Sequence, residues 1–214
     1  MNQIRLYDVV PHVFANRTEW TSEIWKQNVC FEKGKLYLIE ANSGTGKSTL
    51  CSYLLGYRND YSGKITFDDR DARSFRVKDW VEHRQKHVAM LFQELRLFPE
   101  LTALENVFIK NKITNRVSKE KIEGWFDRLG ISEKKNVRLG LMSFGQQQRV
   151  AMMRALAEPF DFILVDEPIS HLDDTNSHIM GEILMEEAKQ QNAGVIVTSI
   201  GKRMDLNYDK ILKL

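Results

Sequence analysis

Apolar runs alternate with amphipathic stretches along the chain, and the alternation sets out its elements. Residues 4–10 and 29–40 read as strands, with Gly34 as the turn before the central run Leu36-Tyr37-Leu38-Ile39. A polar stretch holding Asn16-Arg17-Thr18-Glu19 separates them. Leu50 to Leu55, with leucines four apart and Gly56 at the end, reads as a helix. Residues 57–75 are polar, with Ser62-Gly63 as a turn and Lys64-Ile65-Thr66-Phe67 as a short alternating strand. His87 to Phe92 is apolar enough for a buried strand, ending at Gln93. From Glu94 to Gly140 the period becomes helical. Thr102-Ala103-Leu104-Glu105 has capping-box spacing, and Ile122, Trp125, Phe126 and Leu129 form one apolar stripe ahead of Gly130. That stripe reads as core. After Pro159 come a strand over 160–165, a helix over about 175–191, a strand over 195–198 and a last apolar alternation over 210–214.

Strands alternating with helices imply an α/β fold whose parallel-rich sheet is covered on both faces. The helical stretch lies between the strand that ends at Gln93 and the one that ends at Val165, so a single domain with two lobes is expected.

Bulk composition narrows the classes. The 214 residues are 43% hydrophobic and 28% charged, the profile of a soluble globular protein. Lys and Arg number 31 against 29 Asp and Glu, a net +2 that gives no footprint for nucleic acid, so none is expected as a partner. No apolar run approaches the ~18 residues of a membrane-spanning helix, and the first residues lack a signal peptide's apolar core. Cys30 and Cys51 are too few for a disulfide framework, and Cys51 reads as a small core residue. A cytosolic compartment is expected, with any membrane contact made through a partner.

The chemistry begins at Ala41-Asn42-Ser43-Gly44-Thr45-Gly46-Lys47-Ser48-Thr49, a Gly-rich turn between a strand and a helix. Gly44 and Gly46 let the backbone curl so that successive N–H groups point inward, and the helix adds its positive N-terminal end. Lys47 reaches the outer phosphates of a nucleoside triphosphate, and Ser48 offers a hydroxyl to Mg²⁺. Ala41 stands where the phosphate-loop pattern has glycine, which Ala tolerates if its φ is negative. Phe162-Ile163-Leu164-Val165 then delivers Asp166 and Glu167 at the end of a strand, where two adjacent carboxylates are costly without a cation or a task. Asp166 suits Mg²⁺, through water or directly, and Glu167 suits deprotonating an attacking water. Upstream, Ser143 and Gln146 in Met142-Ser143-Phe144-Gly145-Gln146-Gln147-Gln148-Arg149 have capping-box spacing, and a Ser-capped, Gly-containing helix start is a second anion site.

These motifs, with Gln93, Ile163-Leu164-Val165-Asp166-Glu167-Pro168 and Ser170-His171-Leu172-Asp173 in the same order, resemble the nucleotide-binding domain of ATP-binding cassette (ABC) transporters over essentially all 214 residues. The stretch Leu91 to Pro99, with Leu101-Thr102 and Glu105-Asn106-Val107, is similar to the small bacterial cassettes of cell-division, lipoprotein-release and macrolide-export systems. The resemblance implies a P-loop NTPase core, about 1–93 and 158–214, with N-terminal antiparallel strands and an inserted helical subdomain, about 94–157. It implies ATP and Mg²⁺ as cofactors, and a homodimer, or a pseudo-dimer with another cassette, closing around two MgATP. Partners would be integral, permease-type membrane subunits that hold the chain on the cytoplasmic face of the membrane. Residues 42–49 would hold the nucleotide, with Phe14 as the aromatic under adenine, although Phe14 and Trp20 read equally as core. Gln93 would touch Mg²⁺ and join Glu167 in catalysis. Ser143, Gly145 and Gln146 would cap the γ-phosphate held by the other subunit, and Asp173 would link the two sites.

The departures are specific. Met142 replaces Leu, and Phe144 replaces a signature Gly. The family's switch histidine falls roughly where Ser199 or Ile200 stands, and none of the five histidines is there. Two activities therefore follow from the sequence: a transport ATPase that turns over slowly, or an ATP-gated module with little hydrolysis. A soluble cassette of DNA repair or of ribosomes would add coiled-coil arms, a tandem copy or a basic face, none of which is present.

Overall fold

The structure, a computed structural model, describes residues 1–170 and 172–214. In chain order its elements are β1 (Gln3–Pro11), β2 (Asn28–Glu32), β3 (Leu36–Glu40), α1 (Lys47–Leu54), β4 (Tyr61–Phe67), β5 (Arg70–Asp71), α2 (Val77–Glu82) and β6 (Val88–Leu91). There follow α3 (Ala103–Thr114), α4 (Lys119–Arg128), α5 (Phe144–Leu156), β7 (Phe162–Asp166), α6 (Asp174–Gln190), β8 (Gly194–Ser199) and β9 (Lys210–Lys213).

The two sheets divide as local pattern and connection length require. β6, β7, β8, β3 and β9 form, in that order, an all-parallel sheet, because each link between neighbours passes through a helix or a long loop. β2, β1, β4 and β5 form an antiparallel sheet over the N-terminal part. The inner strands of the parallel sheet are covered on both faces, which is why β3 and β7 are continuous apolar runs. Alternate residues of one strand serve two cores. Ile163 and Val165 face the core shared with α3 to α6, whereas Phe162 and Leu164 face the core shared with α1 and the antiparallel sheet.

Helices α3, α4 and α5 all lie between β6 and β7 in the chain. Thr102 caps α3 by the expected box: its Oγ1 accepts the Glu105 N–H at 3.2 Å, and the Glu105 carboxylate accepts the Thr102 N–H at 2.8 Å. The stripe Ile122, Trp125, Phe126 and Leu129 is buried, as its period predicts, and Cys51 is buried against α1's neighbours. One element has no forerunner in the sequence reading. α2 and the π-helical turn that prolongs it, His83–His87, place Trp80 and His83 against Phe67 and Phe75, while Val77 and Val81 face solvent.

A parallel sheet collects the carboxyl ends of its strands on one edge. Register brings Leu91 opposite Val165, Asp166 opposite Thr198 and Glu40 opposite Ser199. The turns that follow β3, β6, β7 and β8 therefore meet, and the phosphate loop, Gln93, Glu167 and Ser199-Ile200 lie at those strand ends. Of the expected motif Ser170-His171-Leu172-Asp173, His171 lies outside the described residues.

Candidate functional site

The phosphate-loop turn is built by its glycines. Gly44 and Gly46 have φ of 80° and 108°, in the left-handed region that glycine enters without strain, while Ala41 keeps a negative φ as its Cβ requires. A Cβ on Gly46 would stand 3.1 Å from Phe14 and from the indole of Trp25. Trp25 fixes the loop from below, its Nε1 donating to the Thr45 carbonyl at 3.0 Å. Asn42 closes the turn: its carbonyl accepts the Thr45 hydroxyl at 2.9 Å. α1 then starts at Lys47 with no side chain capping it, so its first N–H groups are left for a ligand.

A cavity of about 190 Å³ opens above this turn, lined by Ser43, Gly44, Gly46, Lys47, Ser48, Thr49, Gln93, Glu167 and Ile200. It brings Gln93 and Glu167, 74 residues apart in sequence, to the phosphate loop. Lys47 is 7% exposed, and its Nζ lies 3.4 Å from Glu167 Oε1. On the other side, Gln93 Nε2 donates to Glu167 Oε2 at 3.4 Å. Glu167 sits in a left-handed conformation, φ 48°, with its carbonyl accepting Gln148 Nε2 at 3.4 Å. Asp166 is buried beneath, and its carboxylate accepts the Thr198 hydroxyl. Burial pushes the Asp166 carboxyl above its usual range and adjacent Glu167 adds to this, while Thr198 and Lys47 pull the other way. A carboxylate so desolvated gains from a cation.

Other candidates stand outside that cavity. Ser143 caps α5 by the expected box: its N–H donates to Gln146 Oε1 at 3.0 Å, and its Oγ accepts the Gln146 N–H at 3.4 Å. Ser143, Gly145 and Gln146 begin α5 and do not line the cavity, and Leu141 beside them is 80% exposed. Met142, the replacement for Leu, is buried. Phe14 packs edge-on to Trp20 at 6.5 Å between centroids, and the Arg17 guanidinium covers it at 4.6 Å. Asp173 caps α6, accepting from the Asn176 N–H at 2.8 Å. Ser199 is buried and its hydroxyl donates to the Lys202 carbonyl, so Ile200, 43% exposed, is the apolar wall of the cavity.

Sequence reasoning did not single out Trp25, Gln148 or Thr198. Gln148 was within reach, because it lies one helical turn beyond Ser143 and Gly145. Trp25 and Thr198 carry no local signal: only the tertiary fold brings them to Thr45 and Asp166.

A family model described as ABC transporter matches residues 26–170. The chain belongs to the ABC transporter family. YtrE of Bacillus subtilis, an ABC transporter ATP-binding protein, is 31% identical over 191 residues, covering 85% of this chain and 83% of that one. An uncharacterized ABC transporter ATP-binding protein of Mycobacterium tuberculosis is 33% identical over 190 residues, 87% of this chain but 57% of the relative, so the chain spans little more than half of that protein. Among solved structures, the cassette MJ0796, dimeric and bound to ADP and Pi in a post-hydrolysis state, superposes with a TM-score of 0.74 at 26% identity, covering 92% of this chain and 87% of that one. A bacterial Atm1-family ABC exporter with ATP bound gives a TM-score of 0.77 at 18% identity over all of this chain and 37% of that one, a likeness of fold. The two sheets and the helices between β6 and β7 are thus an ABC cassette, an α/β P-loop NTPase. Among the described residues no helix is long and apolar enough to cross a membrane.

Proposed function

We propose that this ABC cassette binds MgATP at residues 42–49, closes as a dimer around two nucleotides and hydrolyses them to drive separate membrane subunits. The observation that carries the reading is the meeting of Lys47, Gln93 and Glu167 in one cavity at the carboxyl edge of the sheet. The free N–H groups of Gly46 and of α1 bind phosphate oxygens, and Lys47 adds a charge-assisted contact. Glu167, buried to 12% exposure yet hydrogen-bonded by Gln93, orients the attacking water and takes its proton. Phe14, with Arg17 on its ring, forms the side on which the base would rest.

Ser48, Gln93 and Asp166 are the residues that would hold Mg²⁺, and they fit it: all three offer oxygen, the donor that hard cation takes, and Asp166 is a desolvated carboxylate. The metal supplies charge neutralisation of the phosphate oxygens. In the dimer, Ser143, Gly145 and Gln146 of one chain face the phosphates held by the other, which accords with their place outside the cavity lining of their own chain. The helical subdomain, about 94–157, carries that signature. Between it and the core runs a groove of about 270 Å³ whose apolar wall includes Tyr57, Val81, Met90, Phe92 and Ile113, and there a permease-type subunit on the cytoplasmic face of the membrane would dock.

A second reading, an ATP-gated module with little turnover, is favoured by Ile200 at the cavity wall where a polar side chain would aid the chemistry. Phosphate release at saturating MgATP from wild type and Glu167→Gln separates the two. Turnover that Glu167→Gln abolishes supports the ATPase, and binding without turnover in both supports the gated module.

A further inference from the structure

Among the described residues, the turn after Gln93 holds the only two consecutive non-glycine residues with positive φ. Leu95 and Arg96 are consecutive and non-glycine, yet both lie in the left-handed region at φ 58° and 49°. For residues with a Cβ that is a costly arrangement, and it persists only where surrounding groups impose it. Part of the fixing is local. The Leu95 N–H donates to the Phe92 carbonyl at 3.0 Å and the Arg96 N–H to the Glu94 carbonyl at 2.6 Å. The Leu95 side chain is buried, and the Arg96 guanidinium lies 3.9 Å from the centroid of Phe92.

The rest comes from one side chain. Arg154, near the C-terminal end of α5, donates through one terminal nitrogen to the Leu95 carbonyl at 2.8 Å and through the other to the Arg96 carbonyl at 2.7 Å. Only a planar fork with two parallel donors spans adjacent carbonyls in this way. Arg154 thereby ties the strained pair, two residues beyond Gln93, to the helix that begins with Ser143. The Glu158 carboxylate, four residues on, attracts the Arg154 charge but is bonded to Lys110 at 2.9 Å, and the hydrogen bonds of the guanidinium go to the two carbonyls.

We infer that Arg154 is a positioning residue for the reaction: by clamping the Leu95–Arg96 turn to α5, it aims Gln93 at Glu167 and transmits movement of the signature helix to the hydrolytic site. The inference rests on the hydrolysis reading above. Without the clamp the turn relaxes to negative φ and its two carbonyls swing away. Gln93, itself exposed and held through its side-chain bond to Glu167, then loses its direction. The phosphate loop, built on β3 and α1, is untouched.

The test uses Arg154→Met, which keeps the apolar stem, and Arg154→Lys, which keeps the charge but not the fork, alongside Gln93→Ala and the double variant. Expected for Arg154→Met is a kcat at least tenfold lower with the KM for MgATP within twofold of wild type. Arg154→Lys should fall between, and it serves alone if the Met variant does not fold. In the Gln93→Ala background either Arg154 substitution should change kcat by less than twofold, since a residue acting through Gln93 has nothing left to aim. A merely structural role would instead lower kcat equally in both backgrounds, and that result overturns the inference. A readout independent of turnover is the side-chain amide resonance of Gln93 in nucleotide-free protein. It should shift in the Arg154 variants toward its position in Glu167→Ala, and an unmoved resonance overturns the clamp. If wild type shows no hydrolysis while that resonance still shifts, the hydrolysis reading fails and the clamp stands.

Discussion

Lys47 and Glu167 pair with each other across the candidate site, Nζ to Oε1 at 3.4 Å, both largely withdrawn from solvent. The group meant for the phosphates and the group meant for the attacking water thus lie within reach of one another. A phosphate and the Glu167 carboxylate are therefore competing partners for the Lys47 ammonium.

Replacing Glu167 by Gln removes the charge that competes for Lys47 while keeping the side-chain volume. ATP affinity should rise by up to about tenfold, or 1.4 kcal/mol, turnover should vanish, and dimers should accumulate with MgATP. Calorimetry and light scattering after gel filtration check these together. An unchanged affinity would mean that the pair does not oppose binding, and wild-type turnover would remove Glu167 as the base.

Lys47→Ala deletes the other partner. The loss of a charge-assisted contact should weaken ATP binding by about 1.5–3 kcal/mol, read by calorimetric titration. ATP binding at wild-type affinity would overturn the assignment of residues 42–49.

Ile200 gives the cavity an apolar wall, and the Ser199 hydroxyl is spent on the Lys202 carbonyl. A preorganised polar contact on the reacting groups is worth about 2.7–4 kcal/mol. Ile200→His, compared with Ser199→His, should raise kcat at saturating MgATP at least about tenfold, or 1.4 kcal/mol. Wild-type turnover at ordinary cassette rates with no gain from either substitution would show that this wall does not limit the reaction.

His83 carries an acid-sensitive term of stability. Burial among Phe67, Phe75 and Trp80 lowers its pKa to about 4, against the pull of the Leu54 carbonyl, which lies 3.0 Å from Nε2. A folded pKa below the unfolded value means that the unfolded chain binds the extra proton first as pH falls. Stability is therefore intact above pH 6.5 and drains between 6.5 and 4, by up to about 3 kcal/mol. Denaturant melts of wild type and His83→Gln across that window check it: the variant should show a flatter decline. Parallel curves would clear His83 of the effect.

Much of this architecture was legible in the pattern of residues. β3 and β7 announced themselves as unbroken apolar runs because both faces of their sheet are covered. Thr102 and Ser143 marked helix starts because their capping boxes are local, made within four residues. The π-helical turn and α2 were invisible for the opposite reason. The valines of that segment, Val77 and Val81, lie outside, and its buried contacts come from Trp80 and His83, so periodicity pointed the wrong way. Within the site, the sequence named the phosphate loop, Gln93, Asp166 and Glu167, whereas the Lys47–Glu167 pair and the left-handed backbone at Glu167, Leu95 and Arg96 exist only once distant strands align.

The strand order also sets a timetable for biosynthesis. β3, which carries the phosphate loop, lies between β8 and β9, the last two strands in chain order. While the chain emerges from the ribosome, β3 has neither neighbour, and its buried positions Leu36 and Leu38 await a sheet that does not yet exist. A chain halted before Gly194 has its glycine turn but no fixed strand to hold it open. Nascent subunits are thereby kept from capturing nucleotide until β8 and β9 have emerged, and through that interval β3 is an apolar segment without its sheet.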